Sequence, residues 1–213
     1  MGTNSVCCSV GSCYATAVTF LTAFADLGLV LPLAGIIALA LLAIGRRRDA
    51  MAWFIGVAGT LAATLLLKIA VFVVLGPDAQ GALRNPSGHT ASGTVVYAGL
   101  FALLGGRIAP RVPVALLAGL GFGIIFGATR LALHVHTLAD VIVGAVVGLA
   151  GTLTLARMAS PCRVGKPDRG TAVVTAATLL GLLALHGQTL HAEGEIQSIA
   201  EQIRSASRLD QPP

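Results

Sequence analysis

The chain has 213 residues, of which 55% are hydrophobic and only 11% are charged, and its mean hydropathy is +0.86. A soluble domain carries about 25% charged residues, so this composition excludes an ordinary soluble protein and indicates an integral membrane protein. The formal net charge of +5 does not indicate a nucleic-acid partner, because excess Lys and Arg in a membrane protein mark its orientation.

Six apolar segments follow one another along the chain. A helix needs about 17–25 apolar residues to cross a bilayer, and several segments lie near the lower end of that range. No stretch alternates as a strand would. The sequence therefore predicts an all-α fold, a polytopic membrane bundle of about six transmembrane helices. The segments run from Val18 to Gly45, Ala50 to Leu75, Thr90 to Gly106, Val112 to Ala128, Leu138 to Ala156 and Gly170 to Leu185.

We divide the chain into an N-terminal segment of residues 1–17, a transmembrane domain of residues 18–187 and a polar tail of residues 188–213. In the tail, Ile196, Ile199 and Ile203 share one helical face. This spacing predicts a short amphipathic helix lying on the membrane or on the bundle. A solvated, partly frayed tail is the alternative.

Two features of the apolar segments have structural interpretations. Asp26 is the only charge in the first segment, and we expect it near the outer end of that helix, with a kink at Pro32. The glycine-rich stretch from Gly119 to Gly123 favours close helix packing over a nucleotide-binding loop.

The basic residues collect in three loops, which lie on one side of the membrane if six spans are correct. The positive-inside rule makes that side cytoplasmic. Both termini and two unusual polar stretches, NPSGHTAS (Asn85 to Ser92) and TRLALHVHTLAD (Thr129 to Asp140), then share the opposite face. These loops hold nine of the fourteen Lys and Arg: Arg46, Arg47, Arg48, Arg107, Arg111, Arg157, Arg163, Lys166 and Arg169.

The second polar stretch has the composition of a nucleophilic site. His136 and Asp140 are four residues apart, so they share a face of the helix that opens the fifth segment. The carboxylate can fix one imidazole nitrogen and leave the other free to attack. Arg130 supplies a planar fork suited to a phosphate or carboxylate. Asp140 acting only as a helix cap is the structural alternative.

The first polar stretch suits an anion. Pro86 and Gly88 shape a tight turn before a helix, where backbone N–H groups and the Ser87 hydroxyl can meet a phosphate. His89 adds a second imidazole. A nucleophile, an acid and an anion cradle together describe phosphoryl transfer.

These motifs resemble the type 2 phosphatidic acid phosphatase family, which shares its fold with the vanadium-dependent haloperoxidases. The second family motif, Pro-Ser-Gly-His, is matched from Pro86 to His89. The third, Ser-Arg, five residues, His, three residues, Asp, is matched by Thr129-Arg130, His136 and Asp140, with Thr for Ser. The family often has glycine where His134 stands. The resemblance covers a core of residues 68–148.

The first family motif, Lys, six residues, Arg-Pro, is matched only by Lys68. Leu75 and Gly76 stand where Arg-Pro is expected, and Pro77 comes one place late. Arg84 is a candidate substitute for the missing arginine; a solvated loop charge or a lipid headgroup contact is the alternative. Lys68 itself has the alternative of extending from its helix toward the membrane surface.

The resemblance implies residue roles. His136 is the nucleophile that forms a phosphohistidine, Asp140 orients it, and His89 protonates the leaving oxygen. The phosphate-binding groups are Lys68, Ser87, Gly88 and Arg130. No metal or other cofactor is required. A metal site of His134, His89, His136 and Asp140 is the alternative, disfavoured because nearby Lys68 and Arg130 repel a cation.

The resemblance also implies the activity, that of a metal-independent hydrolase of a lipid phosphate or pyrophosphate. We expect it in the inner membrane, with the bilayer and the lipid substrate as its partners, no nucleic acid, and the active site facing the periplasm or exterior. The sequence predicts no oligomeric state. One alternative is a catalytically weak member that binds lipid or another protein. The other is a small transporter, disfavoured because no inverted repeat is visible.

Overall fold

The computed structural model describes residues 10–75, 83–105, 110–161, 169–190 and 192–209, and these ranges contain helices but no strands. The predicted all-α fold is therefore confirmed. Its elements are α1 (Val10–Ala23), α2 (Leu27–Ala43), α3 (Arg47–Leu75), α4 (Gly88–Gly93), a π-helical turn (Thr94–Ala98), α5 (Gly99–Gly105), α6 (Arg111–Ala132), α7 (Leu138–Met158), α8 (Arg169–Leu185) and α9 (Ala192–Leu209).

The third apolar segment forms the centre of the bundle. Residues 88–105 run through α4, the π turn and α5, and every residue from Thr90 to Leu100 is buried. The helices α2, α3, α6 and α7 pack around α4. Small residues allow this approach, since a Cβ added at Gly93 would lie 2.5 Å from the Phe126 ring. This run positions His89 at the end of a buried core element.

The first apolar segment is not one helix. The chain breaks between α1 and α2, and the two helices meet at 41°. Asp26 forms the N-cap of α2 and its side chain accepts from the Gly28 N–H at 2.8 Å. The expected single helix is wrong, because the chain breaks six residues before Pro32, which lies inside α2.

Among the described residues, three helices, α3, α6 and α7, are long and apolar enough to cross a membrane. The bent pair Tyr14–Ala23 and Leu27–Ala43 makes up to four. Helix α8 is apolar but shorter. The six-span count stays a prediction. Large apolar side chains face outward on these helices, as lipid contact requires, among them Leu39, Phe54, Leu66, Leu117, Ile124 and Leu183.

Helices α6 and α7 pack closely through glycines. A Cβ at Gly119 would lie 2.5 Å from Leu149, and one at Gly123 would lie 3.3 Å from Ala145. The stretch from Gly119 to Gly123 is thus a packing face, as its composition indicates. The contact brings the C-terminal end of α6 beside the start of α7.

The C-terminal tail contains a helix that lies on the bundle. Helix α9 packs against α3, and Ala200 is fully buried. Ile199 and Ile203 are 47% and 42% exposed, so the residues that dock are on the neighbouring face, with Ile196 and Ala200. The tail thereby reaches the end of the bundle where both polar stretches lie.

Candidate active site

A cavity of about 800 Å³ opens at the end of the bundle that carries the two polar stretches. Helices α2 and α3 supply apolar walls, and α9 adds Ile196 and Gln197. Its polar lining consists of Asp26, Thr64, Lys68, Asn85, His89, Arg130 and His136. The volume lies within the range of about 300–1,000 Å³ typical of ligand pockets, so a phosphate and part of a larger substrate fit there.

Asp140 fastens the first polar stretch to the second. Its Oδ1 accepts from the backbone N–H groups of Arg84 and Asn85 at 2.9 and 2.8 Å. Its Oδ2 accepts from the Thr137 N–H at 3.0 Å, while Thr137 Oγ1 accepts from the Asp140 N–H. This capping box begins α7. The carboxylate is 1% exposed, so its capping and its contact with His136 occur together.

His136 faces Asp140 across 3.8 Å, from Nδ1 to Oδ2. That separation exceeds a hydrogen bond, although such contacts are often long in empty sites and shorten around substrate. The His136 side chain is 6% exposed and lines the cavity. Because Nδ1 faces the carboxylate, an attack on a substrate would come from Nε2.

Lys68 lies inside the bundle rather than extending toward the membrane surface. It is 6% exposed, and its Nζ donates to Asn85 Oδ1 at 2.8 Å. A Cβ at Gly88 would lie 3.5 Å from Lys68 Cε. The amine is therefore directed to the turn that carries the first polar stretch.

Ser87 has a capping role that its sequence position did not predict. Its Oγ accepts from the Thr90 N–H at 3.3 Å and shares a hydrogen bond with Thr90 Oγ1 at 2.8 Å. The side chain is fully buried. Its backbone N–H donates to the Asp140 carbonyl at 3.0 Å. Ser87 thus begins α4 and ties it to α7, while neighbouring Gly88 and His89 line the cavity.

Arg130 reaches the cavity from the last turn of α6. Its Nη1 donates to Thr22 Oγ1 of α1 at 3.3 Å. The preceding residue, Thr129, is buried and donates to the Phe126 carbonyl at 2.7 Å. Threonine in place of the family's serine therefore has a local structural contact.

His89 stands at the cavity between positive and negative groups. Its Nε2 lies 3.6 Å from Asp26 Oδ2, and its side chain is 28% exposed. Burial, followed by the Arg130 charge, lowers the pKa of His89 to about 4, against the opposing effect of Asp26. The imidazole is neutral at pH 7 without a ligand. A bound phosphate would favour its protonated form.

Two of the candidate residues have exposed side chains. Arg84 is exposed and contributes its backbone N–H to the site. His134 is exposed and has a φ of +55°, the left-handed conformation that glycine adopts without strain. Gly76 and Pro77 lie outside the described residues. Within the described ranges, no three His, Cys, Asp or Glu side chains form a group that could hold a metal ion.

Asp26 and Asn85 were missed as cavity residues by sequence reasoning. Asp26 was visible as a lone charge in an apolar segment, which in membrane proteins is itself a functional signal. Asn85 directly precedes the Pro-Ser-Gly-His stretch. The apolar walls carried no readable signal, because leucines that line a cavity and leucines that face lipid look alike in sequence.

A family model described as the PAP2 superfamily matches residues 76–163. Residues 76–163 belong to the PAP2 superfamily. The predicted resemblance is thereby confirmed, and the match includes the second and third motifs. Lys68 and the α2 wall of the cavity precede it. No curated protein and no solved structure matches the chain at a significant level.

The PAP2 superfamily consists in general of phosphoester hydrolases. Its match, together with the long apolar helices of this chain, identifies a membrane protein of phosphatase type.

Proposed function

We propose that this protein hydrolyses a lipid phosphate or lipid pyrophosphate through a phosphohistidine on His136. The observation that carries the proposal is the composition of the cavity. One cavity combines two imidazoles and two cations at its polar end with apolar walls between α2 and α3. A water-soluble phosphate ester needs only the polar end of such a cavity, whereas a phosphate on an apolar chain needs the polar end and the apolar walls.

The chemistry follows from the facing groups. Nε2 of His136 attacks phosphorus, and an N–P bond forms while the P–O bond to the leaving group breaks. His89 gives its proton to the leaving oxygen. Lys68 and Arg130 offset the charge on the phosphoryl oxygens, which is the main catalytic requirement in such transfers.

The second step regenerates the enzyme. A water molecule gives a proton to His89 and attacks the phosphohistidine. The N–P bond breaks, and inorganic phosphate leaves with His136 in its starting state. Asp140 holds Nδ1 of His136 in both steps and favours the positive charge that the ring acquires during bond formation.

The apolar walls support an apolar chain on the substrate. Leu27 and Leu31 of α2 face the cavity together with Leu61 and Leu65 of α3. Leu31 and Leu65 are also 46% and 41% exposed. A lipid chain that lies against these leucines contacts the cavity wall and the bilayer at the same time. The substrate would therefore enter the cavity laterally, from the bilayer.

We also propose that the cavity faces away from the cytoplasm in the inner membrane, with both termini on its side. The support is the charge asymmetry of the sequence, because Arg47 and Arg48 lie at the start of α3 while Lys68 lies toward its other end. In a variant without native cysteines, an impermeant thiol reagent applied to intact cells should label cysteine introduced at Gln188 and spare cysteine at Arg47. The reverse pattern would contradict this orientation.

The decisive experiment is phosphate release from a panel of lipid phosphates and pyrophosphates in detergent. His136→Ala should abolish turnover, and the matched variant His134→Ala should retain it, because His134 is a nearby exposed histidine. Activity should survive chelators and be inhibited by vanadate, which mimics five-coordinate phosphorus.

Two results would overturn the proposal. Turnover by His136→Ala would remove the proposed nucleophile, and loss of activity on chelation with recovery on added zinc or magnesium would favour metal chemistry. Lipid binding without release by the wild-type protein would instead favour a catalytically weak, lipid-binding member, for which Leu75 in place of the motif arginine is the sequence argument.

A further inference from the structure

The break between α1 and α2 is held in a defined conformation by the central helix. A helix end leaves backbone carbonyls without helical partners. Here the Phe24 carbonyl accepts from Tyr97 Oη at 2.7 Å, and the Ala25 carbonyl accepts from Ser92 Oγ at 3.1 Å. Two hydroxyls thus fix two residues of the break, and with them the position of Asp26.

The two carboxylate oxygens of Asp26 have different neighbours. Oδ1 accepts from the backbone N–H groups of Gly28 at 2.8 Å and Leu190 at 2.9 Å. Oδ2 lies 3.6 Å from His89 Nε2. One oxygen therefore anchors Asp26 to α2 and to the C-terminal tail, while the other faces the imidazole.

We propose that Asp26 is a positioning residue for His89 and holds its imidazole through the contact between Oδ2 and Nε2. The same carboxylate favours the protonated form of the ring. Asp26 lies outside the residues matched by the PAP2 family, 76–163. The effect on rate depends on the proposed function of His89 as the acid, whereas the effect on the protonation of His89 does not.

The charges around His89 explain why such a residue is needed. Arg130, His136 and Lys68 all lower the pKa of His89, in addition to burial, and Asp26 raises it. The cations that bind a phosphate thus disfavour the proton that the leaving group requires. The Asp26 carboxylate, which faces Nε2 of the imidazole, offsets that conflict.

The first test is the titration of His89, followed by NMR of histidine-labelled protein in detergent. Asp26→Asn keeps an oxygen for the Gly28 and Leu190 N–H groups and caps a helix as well as aspartate does, so it removes charge while preserving the fold. The pKa of His89 should fall by about one unit, the lower end of the effect of a nearby opposite charge.

The control is Glu201→Gln, which removes an exposed carboxylate from α9 and should leave the titration unchanged. An unchanged pKa of His89 in Asp26→Asn would overturn the proposal. This measurement needs no turnover. A wild-type protein that hydrolyses nothing would therefore contradict the proposed function, and the titration would still decide the role of Asp26.

The second test compares leaving groups. One pKa unit changes the protonated fraction of His89 about tenfold, so Asp26→Asn should lower kcat/KM about tenfold for an alkyl lipid phosphate. The loss should be much smaller for p-nitrophenyl phosphate, whose leaving group needs no proton. In a His89→Ala background, Asp26→Asn should have no further effect. Equal losses on both substrates would assign Asp26 a merely structural role.

Discussion

The two ends of the bundle each hold a buried carboxylate, and their surroundings differ. Asp49 and Asp140 are both 1% exposed. Asp49 accepts from Arg46 Nε at 2.6 Å and from the Ser160 N–H at 2.7 Å, and Arg111 Nη1 lies 3.6 Å away. Asp140 accepts from backbone N–H groups and faces an imidazole beside a cavity. A buried charge therefore does not identify a functional site.

The cations make the more useful distinction. At the Asp49 end, Arg46 and Arg111 lie beside a carboxylate, and Arg111 also donates to the Ser160 carbonyl. At the cavity, Lys68 donates to an amide oxygen and Arg130 to a hydroxyl. Lys68 and Arg130 also line the cavity, so they bring positive charge to the place where an anion would bind.

The largest expected difference between the two ends comes from exchanging each carboxylate for an amide. Asp140→Asn should lower kcat roughly 10²–10⁴-fold, the range associated with positioned acid–base groups, because His136 loses the charge that orients it. Asp49→Asn should destabilise the fold by about 3–5 kcal/mol, since it leaves buried arginine charge without its partner.

Turnover per folded molecule and thermal unfolding in detergent separate the two effects. The folded fraction of Asp49→Asn should turn over as the wild type does. A lower kcat in the folded fraction of Asp49→Asn would mean that the two ends of the bundle are coupled. The two carboxylates would then not have separate roles.

The next largest effect is expected where the backbone of α7 lies close to the turn that carries the first polar stretch. A Cβ at Gly144 of α7 would lie 2.4 Å from the Ser87 carbonyl, so Gly144→Ala must displace the turn that carries Gly88 and His89. A shift of about 1 Å in a reacting group can cost on the order of 10²-fold in rate.

Gly121→Ala is the matched variant, because nothing lies near its added Cβ. Phosphate-release kinetics of both variants on the best substrate provide the measurement. Equal, wild-type rates would show that the turn adapts and that its tight fit to α7 does not matter for chemistry.

The missing motif arginine provides a smaller test. If Arg84 moves toward a bound phosphate, Arg84→Ala should lower kcat/KM by roughly 1.5–3 kcal/mol, the worth of a charge-assisted contact. Leu75→Arg should then restore part of the loss, because Leu75 stands at the family's arginine position. Unchanged kinetics in Arg84→Ala would instead show that Arg130 is sufficient, in keeping with the exposed side chain of Arg84.

The sequence predicted the helical fold and the proximity of His136 to Asp140. The reason given for that pair is wrong, because α7 begins at Leu138 and His136 lies in the turn before it, so the two residues do not share a helix face. The association of Lys68 with Asn85 could not be predicted, since it depends on how α3 packs beside a turn seventeen residues later. Local periodicity contains no information about that packing.

The break at Asp26 shows a second limit of sequence reasoning. Hydropathy averages over the residues from Val18 to Gly45 and predicts one continuous helix. The helix breaks there because the Phe24 and Ala25 carbonyls accept hydrogen bonds from Tyr97 and Ser92, which lie far along the chain. The cavity walls and the docking of α9 depend on the same kind of long-range contact.

The smallest expected effect concerns backbone strain beside the nucleophile. His134 has a φ of +55° two residues before His136, and a non-glycine residue in this conformation costs on the order of 1–2 kcal/mol. His134→Gly should remove that strain and stabilise the folded protein by roughly 1 kcal/mol, less the entropy that glycine adds to the unfolded chain. Because the His134 side chain is exposed, kcat should stay unchanged.

Val135→Gly is the comparison. Val135 does not share the positive φ, so this variant should only lose stability. Thermal unfolding in detergent measures both variants. A His134→Gly protein that is less stable than the wild type would show that the histidine makes a stabilising contact that outweighs its strain.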